Sequence, residues 1–295
     1  MSQEFNFYDK TNLKSYNLNE SMRYQLSMLD KLDVFTRKHC ENVANLTCRL
    51  CEYLHCNKNF TVYCTICAYL HDIGKLRIPP EVLQKPGKLT DEEYEIMKSH
   101  TTYGYDICMK DLKLRPYAAG TIYHHEALNG SGYPRGLTKK DIPYEGQIIR
   151  VADEYDAIVS KRQYKTHIGI SDTLKILIEN CQAGKNNPAI VKKLFKVVID
   201  DVEYEIFCTQ SYVEELHGEL KRFEQIESYR QKMETAKKEK DKSYYREGMK
   251  MLLKNDETLE NYLSLYEEYK KAYEARKGII ENLYKEIKII KKLKV

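Results

Sequence analysis

Apolar residues recur at three- and four-residue spacing from about residue 20 to 55, a period that predicts one or two helices around His39. A second such run, about 60 to 70, predicts a helix with His71 and Asp72 at its C-terminal end. Pro79-Pro80 and Pro86-Gly87 then mark a connection, because neither dipeptide continues a helix. Thr90-Asp91-Glu92-Glu93 has the form of a capping box and predicts the start of a helix that carries His100. The next helix, about 115 to 127, is expected to end in His124-His125-Glu126. Asn129-Gly130, Gly132 and Pro134 crowd into a turn-rich loop from Asn129 to Gly146, and a loop of that length inside a helical domain is more often functional than decorative. Helical spacing resumes from Ile148 to Ser160, placing Asp153 and Asp156 three residues apart on neighbouring positions of one face. Two more helices, about 171–182 and 187–199, complete the expected domain.

Beyond about Asp201 the pattern changes to Lys, Glu and Tyr, with a helical stretch at about 210 to 238 that ends in the charged turn from Lys237 to Lys242. From Leu259 a heptad seam follows: Tyr262, Tyr266, Tyr269, Tyr273, Ile280, Leu283, Ile287 and Ile290, broken by Arg276. Such a seam serves a helical hairpin packed on its own domain, a homodimer formed through the C-terminal helices, or docking to another protein. The expected organisation is a polar N-terminal extension over 1–29, a catalytic domain over 30–200 and a charged helical region over 201–295.

Composition sharpens the fold class. With 295 residues, 31% of them charged, and only 13 Gly and 7 Pro, long segments run without breakers and the expected fold is all-α. No stretch approaches the ~18 apolar residues of a membrane span, and the first 19 residues lack the basic-then-apolar order of a signal peptide, so a cytoplasmic protein is expected. A net charge of +4 with Lys and Glu interspersed gives no case for a nucleic-acid polymer, whereas a small anionic substrate needs only a local basic patch. Nine cysteines, an odd number, fit reduced thiols. Cys48-x-x-Cys51 and Cys64-x-x-Cys67 have a spacing that could hold a structural zinc, but both pairs lie in apolar helical patterns without knuckle glycines, which favours buried thiols.

Five of the eight histidines stand in one order with two aspartates: His39, His71-Asp72, His100, His124-His125, Asp153. A single His on an apolar face is usually a packed core residue. Five with two carboxylates converging in one core would be costly to desolvate without a cation, and Asp72 beside His71 could bridge two ions. The pattern points to a binuclear metallohydrolase.

The sequence also resembles the HD-GYP phosphohydrolases, a subgroup of the HD superfamily. The matching stretches are HDIGK at 71–75, IPPEVLQKPGKLTDEE at 78–93, HHEALNGSGYPRGL at 124–137 and VADEYDAIVSKRQYK at 151–165, in family order over roughly residues 30 to 200. The resemblance implies an HD-type helical bundle, an iron- or manganese-type centre and hydrolysis of cyclic di-GMP. By position it implies that His39, His71, Asp72 and Asp153 surround one metal and that His100, His124 and His125 complete the second, with Asp72 shared. Lys75 is expected to steady phosphate charge. Gly132-Tyr133-Pro134 resembles the signature loop, its glycine letting the backbone pass close to the site. Arg162 and Lys165 fall at the family's substrate-phosphate positions, with Tyr164 between them able to stack on a base or to pack.

Two cations would then hold a bridging hydroxide that attacks phosphorus, while Lys75 and Arg162 offset the charge that builds on the other oxygens. Asp156 and Glu126 are expected to orient His and Arg partners rather than to ligate. Ala127 and Asn129 depart from the family's Arg and Asp at those places, which bears on substrate positioning. Trinuclear members are expected to carry a glutamate four residues before the first ligand histidine. Here that residue is Phe35, and the nearest upstream carboxylate, Asp33, is six residues from His39, so two metals, iron or manganese, are expected. Two other readings stand beside this one: an HD phosphohydrolase of another nucleotide, and a non-catalytic domain that binds the dinucleotide and signals through its C-terminal helices.

Overall fold

A computed structural model describes residues 24, 27–160, 169–254 and 257–295. Among them the chain is helical, with no strand beyond an isolated antiparallel bridge between Asn129 and Thr138. It divides into two compact units, one formed by residues up to Ile199 together with Ile289–Val295, the other by Asp200–Lys288.

The first unit begins with α1 (Val34–Tyr53), capped by Asp33, whose carboxylate accepts from the amides of Phe35 and Thr36 and from the Thr36 hydroxyl. Helix α2 (Lys58–Leu70) is capped by Asn57 and packs against α1. Both helices bury small side chains, Ala44, Cys48 and Cys51 on α1 and Cys64, Cys67 and Ala68 on α2, in a core that also buries Leu50 and Leu70, and Cys51 lies against Cys64. The four CxxC cysteines are thus buried at a helix contact, all nine cysteines are unpaired, and none of the four belongs to a donor group able to hold a metal among the described residues.

A tight turn, Ile73–Arg77, leads to the short α3 (Pro80–Leu83) and then to α4 (Asp91–Lys98), where the capping box forms: Glu93 N–H donates to Thr90 Oγ1 and Thr90 N–H to Glu93 Oε2. The helix expected to carry His100 is in fact two. The Ser99 amide bonds to Ile96, three residues back, and its hydroxyl takes the Glu95 carbonyl; the ladder is interrupted and α5 (His100–Lys110) starts at the histidine itself. The expected helix over 115–127 is shorter too: α6 (Ala118–Tyr123) stops before His124, because the Glu126 amide returns to Tyr123 O and turns the chain.

Helix α7 (Tyr144–Ser160) carries Asp153 and Asp156, and α8 (Ile170–Gln182) follows. The stretches expected at 187–199 and 210–238 are one 48-residue helix, α9 (Pro188–Thr235). Residues 200–209 contain neither Gly nor Pro, and Val202 and Ile206 stay buried at helical spacing, so nothing breaks it despite the change in composition.

In the second unit α9 is followed by α10 (Glu239–Leu252) and α11 (Tyr262–Ile290). Its core is Phe223, Ile226, Met249 and Tyr262, with Tyr266 and Tyr269 against it. The heptad seam faces α9 in antiparallel order: Tyr269 lies 5.6 Å from Phe223, Tyr273 lies 5.8 Å from His217, and Arg276 sits 5.6 Å over the Tyr212 ring. The arginine that interrupts the seam is therefore accommodated as a cation on an aromatic face. No helix among the described residues is long and apolar enough to cross a membrane. Arg162, Tyr164 and Lys165 lie outside the described residues.

Candidate metal centre

The seven candidate ligands come from the ends and faces of five helices. His39 is on α1, His71 and Asp72 follow the end of α2, His100 opens α5, His124 and His125 follow the end of α6, and Asp153 is on α7. Helix ends suit this work, since their last carbonyls lack intrahelical partners. Three histidines use them: Nδ1 of His71 lies 2.6 Å from Ala68 O, that of His100 2.7 Å from Met97 O, and that of His124 2.8 Å from Gly120 O. Each Nδ1–H donates to a carbonyl, which leaves the Nε2 lone pair pointing inward.

Those nitrogens converge on Asp72. Its Oδ2 lies 3.4 Å from His71 Nε2 and 3.8 Å from His39 Nε2, while its Oδ1 lies 3.3 Å from His100 Nε2. His100 and His124 are 3.2 Å apart through their Nε2 atoms. Asp153 behaves similarly, with Oδ1 2.9 Å from His39 Nε2 and Oδ2 3.8 Å from His125 Nδ1. Two donor groups result, His39–His71–Asp153 and His100–His124–His125, the atoms of each within 4.8 Å of one another. Asp72 turns one oxygen to each. A further group not anticipated from the sequence joins Cys40 to His71 and Asp72.

Whether divalent cations fit can be judged from the donors themselves. His71 Nε2 is buried and makes no hydrogen bond, an expense that a cation would remove. Burial holds the pKa values of His100, His124 and His125 below the usual imidazole value, so all three are neutral donors near pH 7. Burial also opposes charge on His39, but its hydrogen bonds to Asp153 and Asp156 outweigh this and raise its pKa to about 10. For Asp72, burial is overcome by the Lys75 ammonium and by His71, and its carboxyl stays well below the ordinary range; Asp153 is lowered against burial chiefly by the His39 hydrogen bond. Three neutral imidazoles with ionised carboxylates in a buried space are a fitting donor set, which His39 joins on giving up its proton.

The surrounding shell is partly as expected. Asp156 Oδ2 lies 2.7 Å from His39 Nδ1 and orients that ring. Glu126 does something else: its buried carboxylate accepts the amides of Arg135 and Leu137 and pins the Gly132-Tyr133-Pro134 loop rather than a histidine or arginine side chain. A Cβ on Gly132 would lie 2.2 Å from the Ala127 amide nitrogen and 2.5 Å from His125 O, so glycine is required where the loop crosses the histidine pair. The Tyr133–Pro134 peptide is cis, and the Tyr133 ring stacks 4.6 Å from His125. Lys75 is half-enclosed, its ammonium 2.5 Å from Asp72 Oδ2. Asn129 accepts from the Ser131 amide and donates to Ala183 O, holding the turn.

Sequence reasoning missed Arg150, which donates to His125 O and Asn186, and Glu154, which receives Asn180 and Asn186. Their partners are the His125 carbonyl after α6, Asn180 on α8 and Asn186 in the connection after α8, so only the tertiary fold reveals them.

The chain is 40% identical over 175 residues to the cyclic di-GMP phosphodiesterase of Thermotoga maritima, covering 58% of this chain and 47% of that protein. It is 45% identical over 96 residues to the cyclic di-GMP phosphodiesterase response regulator RpfG of Xanthomonas campestris pv. campestris, covering 32% and 25%. It is 30% identical over 193 residues to the 3'3'-cGAMP-specific phosphodiesterase 1 of Vibrio cholerae, covering 64% and 43%. The chain thus spans less than half the length of each relative. The family model described as HD domain matches residues 23–190, which include every candidate ligand. By that match the chain belongs to the HD domain family.

Proposed function

We propose that this chain is a metal-dependent phosphodiesterase that hydrolyses cyclic di-GMP. The observation that carries the reading is Asp72, one carboxylate with an oxygen turned to each of two histidine sets and an ammonium alongside. His39, His71 and Asp153 would hold one cation and His100, His124 and His125 the other, with Asp72 between them. Mixed imidazole and carboxylate donors suit iron or manganese. Bound in pairs, such ions supply positive charge facing a phosphodiester and water acidified toward neutral pH.

The chain's own residues do the rest. Asp156 and the three backbone carbonyls fix the imidazole orientations, and Glu126 holds the loop that lays Tyr133 beside His125. Lys75 brings a positive charge to the edge of the centre, where a phosphate oxygen can share it with Asp72. Arg162 and Lys165 are assigned to substrate phosphate on their sequence positions. An intracellular setting is in keeping with nine cysteines, a number that cannot all pair.

The test is to incubate iron- or manganese-loaded protein with cyclic and linear dinucleotides and to repeat it with Asp72→Ala. The parent should linearise cyclic di-GMP, and the variant should stay folded but lose turnover. Activity within a few-fold of the parent, with metal retained, would refute the shared-carboxylate assignment. Similarity to the Vibrio cholerae enzyme favours the mixed cyclic dinucleotide as the second substrate to try.

A further inference from the structure

Beside the proposed metal centre, α4 carries two residues one turn apart that the reading above does not use, Tyr94 and Lys98, the latter at its end. The Lys98 ammonium lies 4.9 Å from the Tyr94 ring centroid and 5.6 Å from that of Tyr133. Tyr133 in turn stacks on His125. A cation therefore lies near two aromatic rings, one of which rests on a candidate ligand and the other of which is 47% exposed.

The bland account is that Lys98 pairs with Glu95, three residues earlier, at 2.5 Å. Glu95 is 69% exposed, and a pair so open to water is worth little and exchanges partners readily. An exposed tyrosine ring with a lysine at its face is also what a purine needs: a surface to stack on and a donor for its edge.

We propose that Tyr94 and Lys98 form a base-recognition element in which the Tyr94 ring stacks a purine and Lys98 donates to guanine O6 and N7. The assignment rests on the phosphodiesterase reading and adds to it the residue that selects the base. Lysine has donors and no acceptor. Guanine offers two acceptors on that edge, whereas adenine offers N7 and a competing N6 donor, so the ammonium favours guanine. Glutamine, which donates and accepts, matches the adenine edge instead. The identity of one side chain thus predicts the direction of a specificity change.

The experiment measures kcat and KM of the full metal-loaded chain for cyclic di-GMP and cyclic di-AMP in the parent, Lys98→Gln, Lys98→Arg and Tyr94→Ala. Lys98→Gln should reduce the guanine-to-adenine ratio of kcat/KM on the order of tenfold or more, mainly through KM for cyclic di-GMP. Lys98→Arg, which keeps the charge and the donors, should retain the guanine preference. Tyr94→Ala should raise KM for both substrates. A ratio unchanged in Lys98→Gln, or lost equally in Lys98→Arg, overturns the base-recognition assignment. Turnover of bis(4-nitrophenyl) phosphate by the parent keeps the two ideas separable, because that diester has no purine. If the parent cleaves neither it nor the dinucleotides, the phosphodiesterase reading falls; if the parent cleaves both and the ratio does not move, only the role of Lys98 falls.

Discussion

Two carboxylates facing His39 raise its pKa, so on the proposed assignment metal uptake at this ring displaces a proton. Affinity at its donor set should therefore rise with pH toward about 10, and calorimetry in two buffers of different ionisation enthalpy should show proton release. Zero release would mean that His39 does not ligate. Chelator-treated protein gives the complementary sign. The raised pKa of His39 adds stability that is fully present below its unfolded value of about 6.5 and is lost as pH rises through about 10. The lowered values of His100, His124 and His125 act oppositely: the unfolded chain takes up protons that the fold refuses, so stability falls as pH drops below about 6.5. The denaturation midpoint should peak near neutral pH, and a monotonic profile would contradict these shifts. The expected metal number rests on two other residues. Phe35 is 72% exposed one turn before His39, and Asp33 is consumed as the α1 cap, so neither offers an oxygen to a third ion. Elemental analysis after anaerobic purification should give two equivalents per chain; three would require a ligand from elsewhere.

Elements position these residues through a few close approaches. At Gly74 a Cβ would stand 1.9 Å from His100 O and 2.4 Å from the Gly104 amide nitrogen, so the turn after Asp72 lies directly on the first turn of α5. Gly74→Ala should cost about 1–3 kcal/mol in unfolding free energy. It should also loosen metal binding, because it pushes Asp72 and His100 apart; unchanged metal affinity would show that the contact is merely structural. Contacts of this kind explain what could be read beforehand. The Thr90 capping box, the helix at about 60 to 70 and the seven convergent donors were legible because each rests on local spacing or on chemistry that has few other uses. The break at Ser99 and the early end of α6 were not, because each depends on one amide choosing a carbonyl three residues back. Continuity through 200–209 was also obscured: a shift toward charged residues looks like a boundary, although two buried apolar side chains sustain the helix. Nothing in the local sequence marks Lys98, because Tyr133, which lies near it, is distant in sequence.

Over the whole molecule, the donors span positions 39 to 153 and the second unit has a core of its own. Phe223→Ala should remove about 3–5 kcal/mol from that core, while leaving metal equivalents per chain unchanged; metal loss on this substitution would tie the centre to the second unit. Heptad tyrosines engaged with α9 leave the association state to be measured by sedimentation, with this variant as the comparison. The histidine rings that face the centre are fastened to carbonyls at Ala68, Met97 and Gly120, in the last turns of three separate helices. A ring released from the centre is also a ring freed to let go of its carbonyl. Metal binding at the proposed centre should therefore slow amide hydrogen exchange in those last turns, without any substrate being turned over.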